Sequence, residues 1–179
     1  DSEQRAEIIE LGGIDLALAT DKIGNAWTAL AKPRWPIPPE VKAVHHITEA
    51  HLEDASSLSS LWGDFFDGCG EHDVLAAHNA KFEKSFHHGN GREWICTYKS
   101  ALVVWPDAPR HNNQALRYWL DIDAEPDFDP ALAQPPHRAL PDAYVTARIL
   151  RRLLREKTVA ELVTSQNIRR SCIASTSAP

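Results

Sequence analysis

The sequence predicts an α/β domain, a mixed sheet flanked by helices. Three observations carry that expectation. Strand-like segments come first and helices alternate with strands later, the order of a sheet covered by helices. Of the residues, 43% are hydrophobic and 25% charged, the mix of an ordinary globular chain. The 179 residues suit one domain with a sizeable core.

The elements follow in order. Ala6 to Leu16 is rich in Ile and Leu and contains Gly12-Gly13, so it reads as a strand with a bend or bulge at the glycine pair. Ala26 to Ala31 reads as its antiparallel partner, after a turn at 21–25. A proline-dense loop spans Pro33 to Pro39. Val41 to Glu49 reads as a short helix and a turn. In Ala55 to Phe66, the residues Leu58, Leu61, Trp62, Phe65 and Phe66 recur at helical spacing, and Gly68 and Gly70 close the helix. His72 to Ala77 is a short apolar strand with His78-Asn79 at its end. Ala80 to His88 reads as helix, Trp94 to Cys96 as a brief strand, and the chain to Trp105-Pro106 as another helix. Asn113 to Leu120 is a short helix, and Asp121 to Pro136 an acidic, proline-containing loop. The last strong helix runs from about Ala139 to Lys157, with Pro141 tolerable in its first turn. From Ser165 the Ser/Ala-rich tail reads as disordered.

Bulk properties exclude several classes. No apolar run approaches the roughly 20 residues that span a bilayer, and no signal peptide opens the chain, so no membrane partner is expected. Three scattered cysteines make neither a disulfide framework nor a zinc finger, which points to a reducing compartment, the cytoplasm. A net charge of −6 argues against a histone-like basic coat but leaves room for a nucleic-acid enzyme whose carboxylates hold a metal. The chain has no methionine, which suggests a processed chain or a fragment.

Two stretches carry candidate chemistry. Asp142 shares the apolar face of the last helix with Val145, Ile149 and Leu153. An inward carboxylate needs a partner, and a metal ion serves. His137 precedes it by about a turn, and an imidazole takes up protons near neutral pH. Taken alone, these two residues favour a plainer reading, an aspartate suited to the helix dipole and a loop histidine. Glu83 lies where a helix follows a strand end, the place where α/β sheets gather ligands. It reads as a second metal carboxylate or as a solvated residue between Lys81 and Lys84, and Asn79 as a site residue or a helix cap. Among weaker candidates, the His45-His46 and His87-His88 pairs are poor chelates. Arg148, Arg151, Arg152, Arg155 and Lys157 read as a solvated helix face, of which one or two could flank a nucleic-acid path. The six tryptophans read mostly as core, with Trp94 or Trp105 open to stacking on a base.

Taken together, the motifs resemble a known family. Val74 to Phe82, VLAAHNAKF, is similar to the second motif of the DnaQ-like (DEDDh) 3′-to-5′ exonucleases, and His137 to Ala147 is similar to their third motif, in the subgroup that uses histidine as base. Pro36 to Thr48, Trp94 to Leu102, Trp105-Pro106, His111 to Asn113 and Leu116 to Leu120 resemble the exodeoxyribonuclease X branch. The resemblance runs from about residue 5 to about 163. It implies an RNase H-like fold, two Mg²⁺ or Mn²⁺ ions, and a DNA substrate with a free 3′ end, single-stranded or frayed, in repair or proofreading, with RNA as the second candidate. Residue by residue it makes Asp142 and Glu83 metal ligands and His137 the general base, and places His78, Asn79 and Phe82 beside the terminal nucleotide. Glu83 stands where the family has aspartate, one methylene shorter. The family's first motif, an apolar strand ending in Asp-x-Glu-Thr, has no counterpart: Asp1-Ser2-Glu3 has the letters without the strand or the Thr-Gly. The expectation is an exonuclease domain over 1–164 that lacks its first strand and two carboxylates, followed by a tail over 165–179, with impaired activity. The alternative is a non-catalytic fragment or a degenerate nucleic-acid-binding module.

Overall fold

Two β pairings and one long helix organise the chain. A computed structural model describes residues 7–87 and 89–164. Strands β1 (Glu10–Ala17) and β2 (Lys22–Leu30) form an antiparallel hairpin, while β3 (Leu75–Ala77) pairs in parallel with β4 (Trp94–Cys96). Ala31 makes a single parallel bridge to Ser56. Helices α1 (Pro39–His45), α2 (Leu58–Asp67), α3 (Lys81–Phe86), α4 (Thr97–Val104), α5 (Asn113–Trp119), α6 (Ala139–Leu153) and α7 (Val159–Thr164) complete the order. The antiparallel and parallel pairings are the mixed α/β character expected, arranged as two separate two-stranded sheets.

Local chemistry explains the boundaries. The Ser57 side chain accepts the Ser60 N–H and starts α2, and the Asn112 side chain accepts the Ala115 N–H and starts α5. Pro141 falls in the first turn of α6, where its missing N–H costs no intrahelical hydrogen bond. α6 is buried on nearly every side, and Tyr144, Val145, Ile149 and Leu153 join Ile95, Leu116, Ile122 and Leu162 in the main core. Ile14 and Leu16 of β1 and Val74 before β3 pack against that same core, so α6 joins the two sheets.

Gly12-Gly13 does not form the bulge that the sequence suggests. The register slips between Ile14 and Leu16, where Asp15 faces Gly24 and Asn25, and the Asn25 amide donates to the Asp15 carboxylate at 3.2 Å. The glycines serve close approach instead. A Cβ on Gly12 would lie 2.5 Å from the Leu140 N and 2.7 Å from the Ala139 carbonyl carbon, both helix backbone. Gly12→Ala should therefore push the start of α6 off β1, at about 1–3 kcal/mol. Thermal denaturation checks this, and an unchanged midpoint would mean that the helix can step back at no cost.

Other expectations shift as well. α6 ends at Leu153 rather than near Lys157, and the separate helix α7 follows. Arg148 and Arg151 are no solvated face: both are buried. Arg148 donates to Glu125 (2.9 Å), to Asp127 (2.6 Å) and to the Tyr144 hydroxyl (2.6 Å), while Arg151 pairs with Asp127 (2.7 Å) and Glu125. Arg152 reaches Glu125 at 2.6 Å. The acidic loop thus supplies the counter-charges that buried guanidinium groups require. None of the six tryptophans is fully buried, and Trp35 and Trp119 are exposed. Among the described residues no helix is long and apolar enough to cross a membrane. The tail read as disordered lies outside the described residues, as do Asp1 to Glu3 and His88.

Candidate active site

The start of α6 is fixed from outside the helix. Glu10, at the first position of β1, accepts the Ala139 N–H at 2.8 Å and grips the Arg138 guanidinium at 2.7 to 3.1 Å. A carboxylate at a helix N-terminus gains from the dipole as well as from the unpaired N–H. The clamp sets the exit of the loop that carries His137, which is exposed and adopts a left-handed φ of 65°. Its backbone N–H donates to Asp142 Oδ1 at 3.3 Å. The two residues singled out at the third motif are therefore in contact.

Asp142 is half-buried at the first turn of α6. Burial pushes its carboxyl above the usual aspartate range. The His137 N–H and imidazole and the Gln114 amide pull the other way, and the Glu10 charge adds to the rise. Gln114 and Asn113, from the start of α5, complete the setting. The Asn113 amide donates to the Asp142 backbone carbonyl (3.2 Å) and to the Thr146 hydroxyl (2.9 Å).

Glu83 is half-buried on α3, its Oε2 sealed from solvent with no hydrogen-bond partner among the described residues. Burial raises its carboxyl, opposed by its own backbone N–H. That excludes the solvated reading between Lys81 and Lys84. Glu83 and Asp142 are both half-buried carboxylates, and burial pushes both carboxyls up. Among the described residues no three His, Cys, Asp or Glu side chains gather as a metal-holding group.

The remaining predicted residues divide. His78 is largely buried and engaged at both ring nitrogens, by the Thr97 hydroxyl at 2.9 Å and the His111 carbonyl at 2.8 Å. Burial lowers its pKa, which favours the neutral imidazole, and its hydrogen bonds tie the end of β3 to the loop before α5. Asn79 does not cap α3. It sits at a φ of 78°, a conformation asparagine tolerates better than most residues, and its carbonyl accepts the Phe82 N–H. Phe82 is 55% exposed, in edge contact with Phe86 at 5.1 Å. Of the three, Phe82 offers an accessible ring face to a base.

Sequence reasoning missed Glu10, Gln114 and Arg138. A charged residue opening an otherwise largely apolar strand, and a run of three amides at 112–114 before a helix, were the available signals.

The chain is similar in sequence and fold to known exonucleases. A family model described as Exonuclease (RNase T type) matches residues 1–150. Exodeoxyribonuclease 10 of Escherichia coli K12 is 32% identical over 143 residues, covering 80% of this chain and 60% of that protein. A PolC-type DNA polymerase III of Caldanaerobacter subterraneus is 29% identical over 163 residues, 11% of its length. The chain thus spans about 60% of the length of the first curated relatives it matches. Exonuclease X, solved in complex with 5′-overhanging duplex DNA, superposes with a TM-score of 0.74 at 30% identity, over 88% of this chain and 90% of that one. The nuclease domain of 3′hExo, a DEDDh family member bound to rAMP, superposes at 0.66 and 18% identity, over 84% and 82%, a likeness of fold alone. The fold is RNase H-like, as the resemblance implied.

Proposed function

The chain belongs to the DnaQ-like, DEDDh exonuclease family, and from that premise we propose that it carries the machinery for releasing nucleotides from the 3′ end of DNA in repair or proofreading. The carrying observation is the contact between His137 and Asp142: the backbone N–H of an exposed histidine donates to a half-buried carboxylate at a helix start. DNA is favoured over RNA by the branch resemblance. Phe82 would stack on the terminal base, and the cytoplasm is the proposed location because cysteines are few.

The carboxylates fit a hard divalent cation. Among the described residues Glu83 Oε2 is buried without a hydrogen-bond partner, and the Asp142 carboxylate accepts hydrogen bonds at Oδ1 alone. Oxygen ligands of this kind suit Mg²⁺ or Mn²⁺, whose bound charge would draw the phosphate and ease deprotonation of water. Asp142 and Glu83 would hold such ions, and His137 would take the proton from the attacking water. The Glu10 clamp on Arg138 fixes the segment next to that imidazole.

Two carboxylates are fewer than a two-metal site uses, so slow trimming is expected from these 179 residues. A 3′-extended, 5′-labelled oligonucleotide with enzyme in excess and Mn²⁺ present gives the measurement. His137→Ala should lower the observed rate about 10²- to 10⁴-fold while leaving oligonucleotide binding nearly unchanged. Equal rates for the two proteins would remove His137 from the mechanism. The second reading, a nucleic-acid-binding module without catalysis, is favoured because among the described residues no three His, Cys, Asp or Glu side chains gather as a metal-holding group. Oligonucleotide binding with no metal-dependent product would establish it.

A further inference from the structure

A one-directional chain of hydrogen bonds runs from a buried arginine, ion-paired to Asp123, to Asp142. Arg117 of α5 is 3% exposed and holds Asp123 with two bonds, Nε to Oδ1 at 2.6 Å and Nη2 to Oδ2 at 2.8 Å. Its Nη1 donates to the Ala133 carbonyl (3.2 Å) and to Gln114 Oε1 (3.3 Å). A guanidinium donates and never accepts, so the side of the Gln114 amide facing Arg117 must be its oxygen. The amide nitrogen is thereby turned the other way, to Asn113 Oδ1 (3.2 Å) and Asp142 Oδ1 (3.5 Å). Asn113 agrees with that polarity: its oxygen accepts from Gln114 while its nitrogen donates to the Asp142 carbonyl and to Thr146. Neither amide can flip without placing donor against donor.

The outcome is asymmetric at the carboxylate. Oδ1 of Asp142 takes the Gln114 amide and the His137 N–H, and among the described residues Oδ2 takes none. We infer that Gln114 is a positioning residue, which with the His137 N–H pins one oxygen of Asp142 and reserves the other for the cation, its own orientation being set by Arg117 and Asp123. This rests on the metal-ligand reading of Asp142 proposed above. It adds a residue on a different helix, held by a different set of contacts. Partners that orient a metal ligand commonly contribute about 10- to 100-fold in metal affinity.

The test is Mn²⁺ titration of the whole 179-residue chain, read by loss of the free-ion electron paramagnetic resonance signal, beside thermal denaturation in metal-free buffer. Gln114→Met keeps the volume and removes the donor. Gln114→Asn keeps an amide but withdraws it by one methylene. Both should raise the Mn²⁺ dissociation constant about tenfold or more, at the low end of that range, with little change in the midpoint. Asp142→Asn should abolish the binding. If Asp142→Asn abolishes binding while both Gln114 variants bind Mn²⁺ as the parent does, the positioning role is overturned and the ligand reading survives. A parent chain that binds no Mn²⁺ overturns both. Weakened binding matched by a large drop in midpoint in both variants overturns the positioning role in favour of a structural one.

Discussion

Replacing Glu125 by glutamine is expected to remove on the order of 3–5 kcal/mol of stability, about a fifth or more of what a domain typically has. Glu125 is 9% exposed and accepts from Arg148, Arg151 and Arg152. Glutamine fits the space but removes the charge, leaving Arg148 and Arg151 with Asp127 as their remaining carboxylate and taking from Arg152 the carboxylate it pairs with. Burial by itself would push the Glu125 carboxyl up; the Arg148, Arg151 and Arg152 side chains reverse that and hold it below the usual range. A carboxylate with a depressed folded pKa stabilises above its unfolded value, about 4.3, and loses that contribution as pH falls through the folded pKa. The deficit of Glu125→Gln should therefore be full at pH 7 and shrink in strong acid, where the parent loses its own ion pairs. Urea denaturation at pH 7 and in acid gives both numbers. Equal stability at pH 7 would mean that the cluster contributes nothing net.

Asp142→Asn should move stability and function in opposite directions. Burial raises the Asp142 carboxyl in the folded state, so the folded protein holds that proton more tightly than the unfolded chain, whose aspartates titrate near about 3.9. The sign follows: the charge costs stability at all pH above the raised folded pKa, and the cost fades as pH falls through it. The asparagine variant should melt higher at pH 7 without metal, by about 2–4 °C for each kcal/mol relieved, and should match the parent below the usual aspartate range. Mn²⁺ should then raise the midpoint of the parent and not of the variant, and metal-dependent trimming should fall to background. A variant that melts no higher, or that still responds to Mn²⁺, would remove Asp142 from the site.

The sequence revealed these features unevenly. The helix over α6 and the inward face of Asp142 follow from the spacing of Val145, Ile149 and Leu153, a pattern local to one turn after another. The strands at Leu75–Ala77 and Trp94–Cys96 were legible as short apolar runs, and the resemblance to one family supplied the pairing of His137 with Asp142. What failed was long-range. Arg148 looks solvated because its own helix gives no counter-charge; its partners lie 21 and 23 positions away in a loop that periodicity cannot place. Gly12-Gly13 looked like a bend because close approach of a helix 128 positions later leaves no local mark. Gln114 was missed for the same reason, since its role depends on where α5 meets α6.

One consequence concerns the segment from Asp121 to Pro136. Irregular, acidic and proline-containing stretches are the usual places to insert a tag or to expect a protease to cut. Here the stretch buries Ile122, Glu125 and Ala133, and its backbone is bound at the Asp127 carbonyl, the Asp129 N–H and the Ala133 carbonyl. Cleavage requires local unfolding, and unfolding this stretch would strip counter-ions from the central helix. For protein engineering the segment behaves as scaffold despite its loop-like composition, and fusion points belong elsewhere.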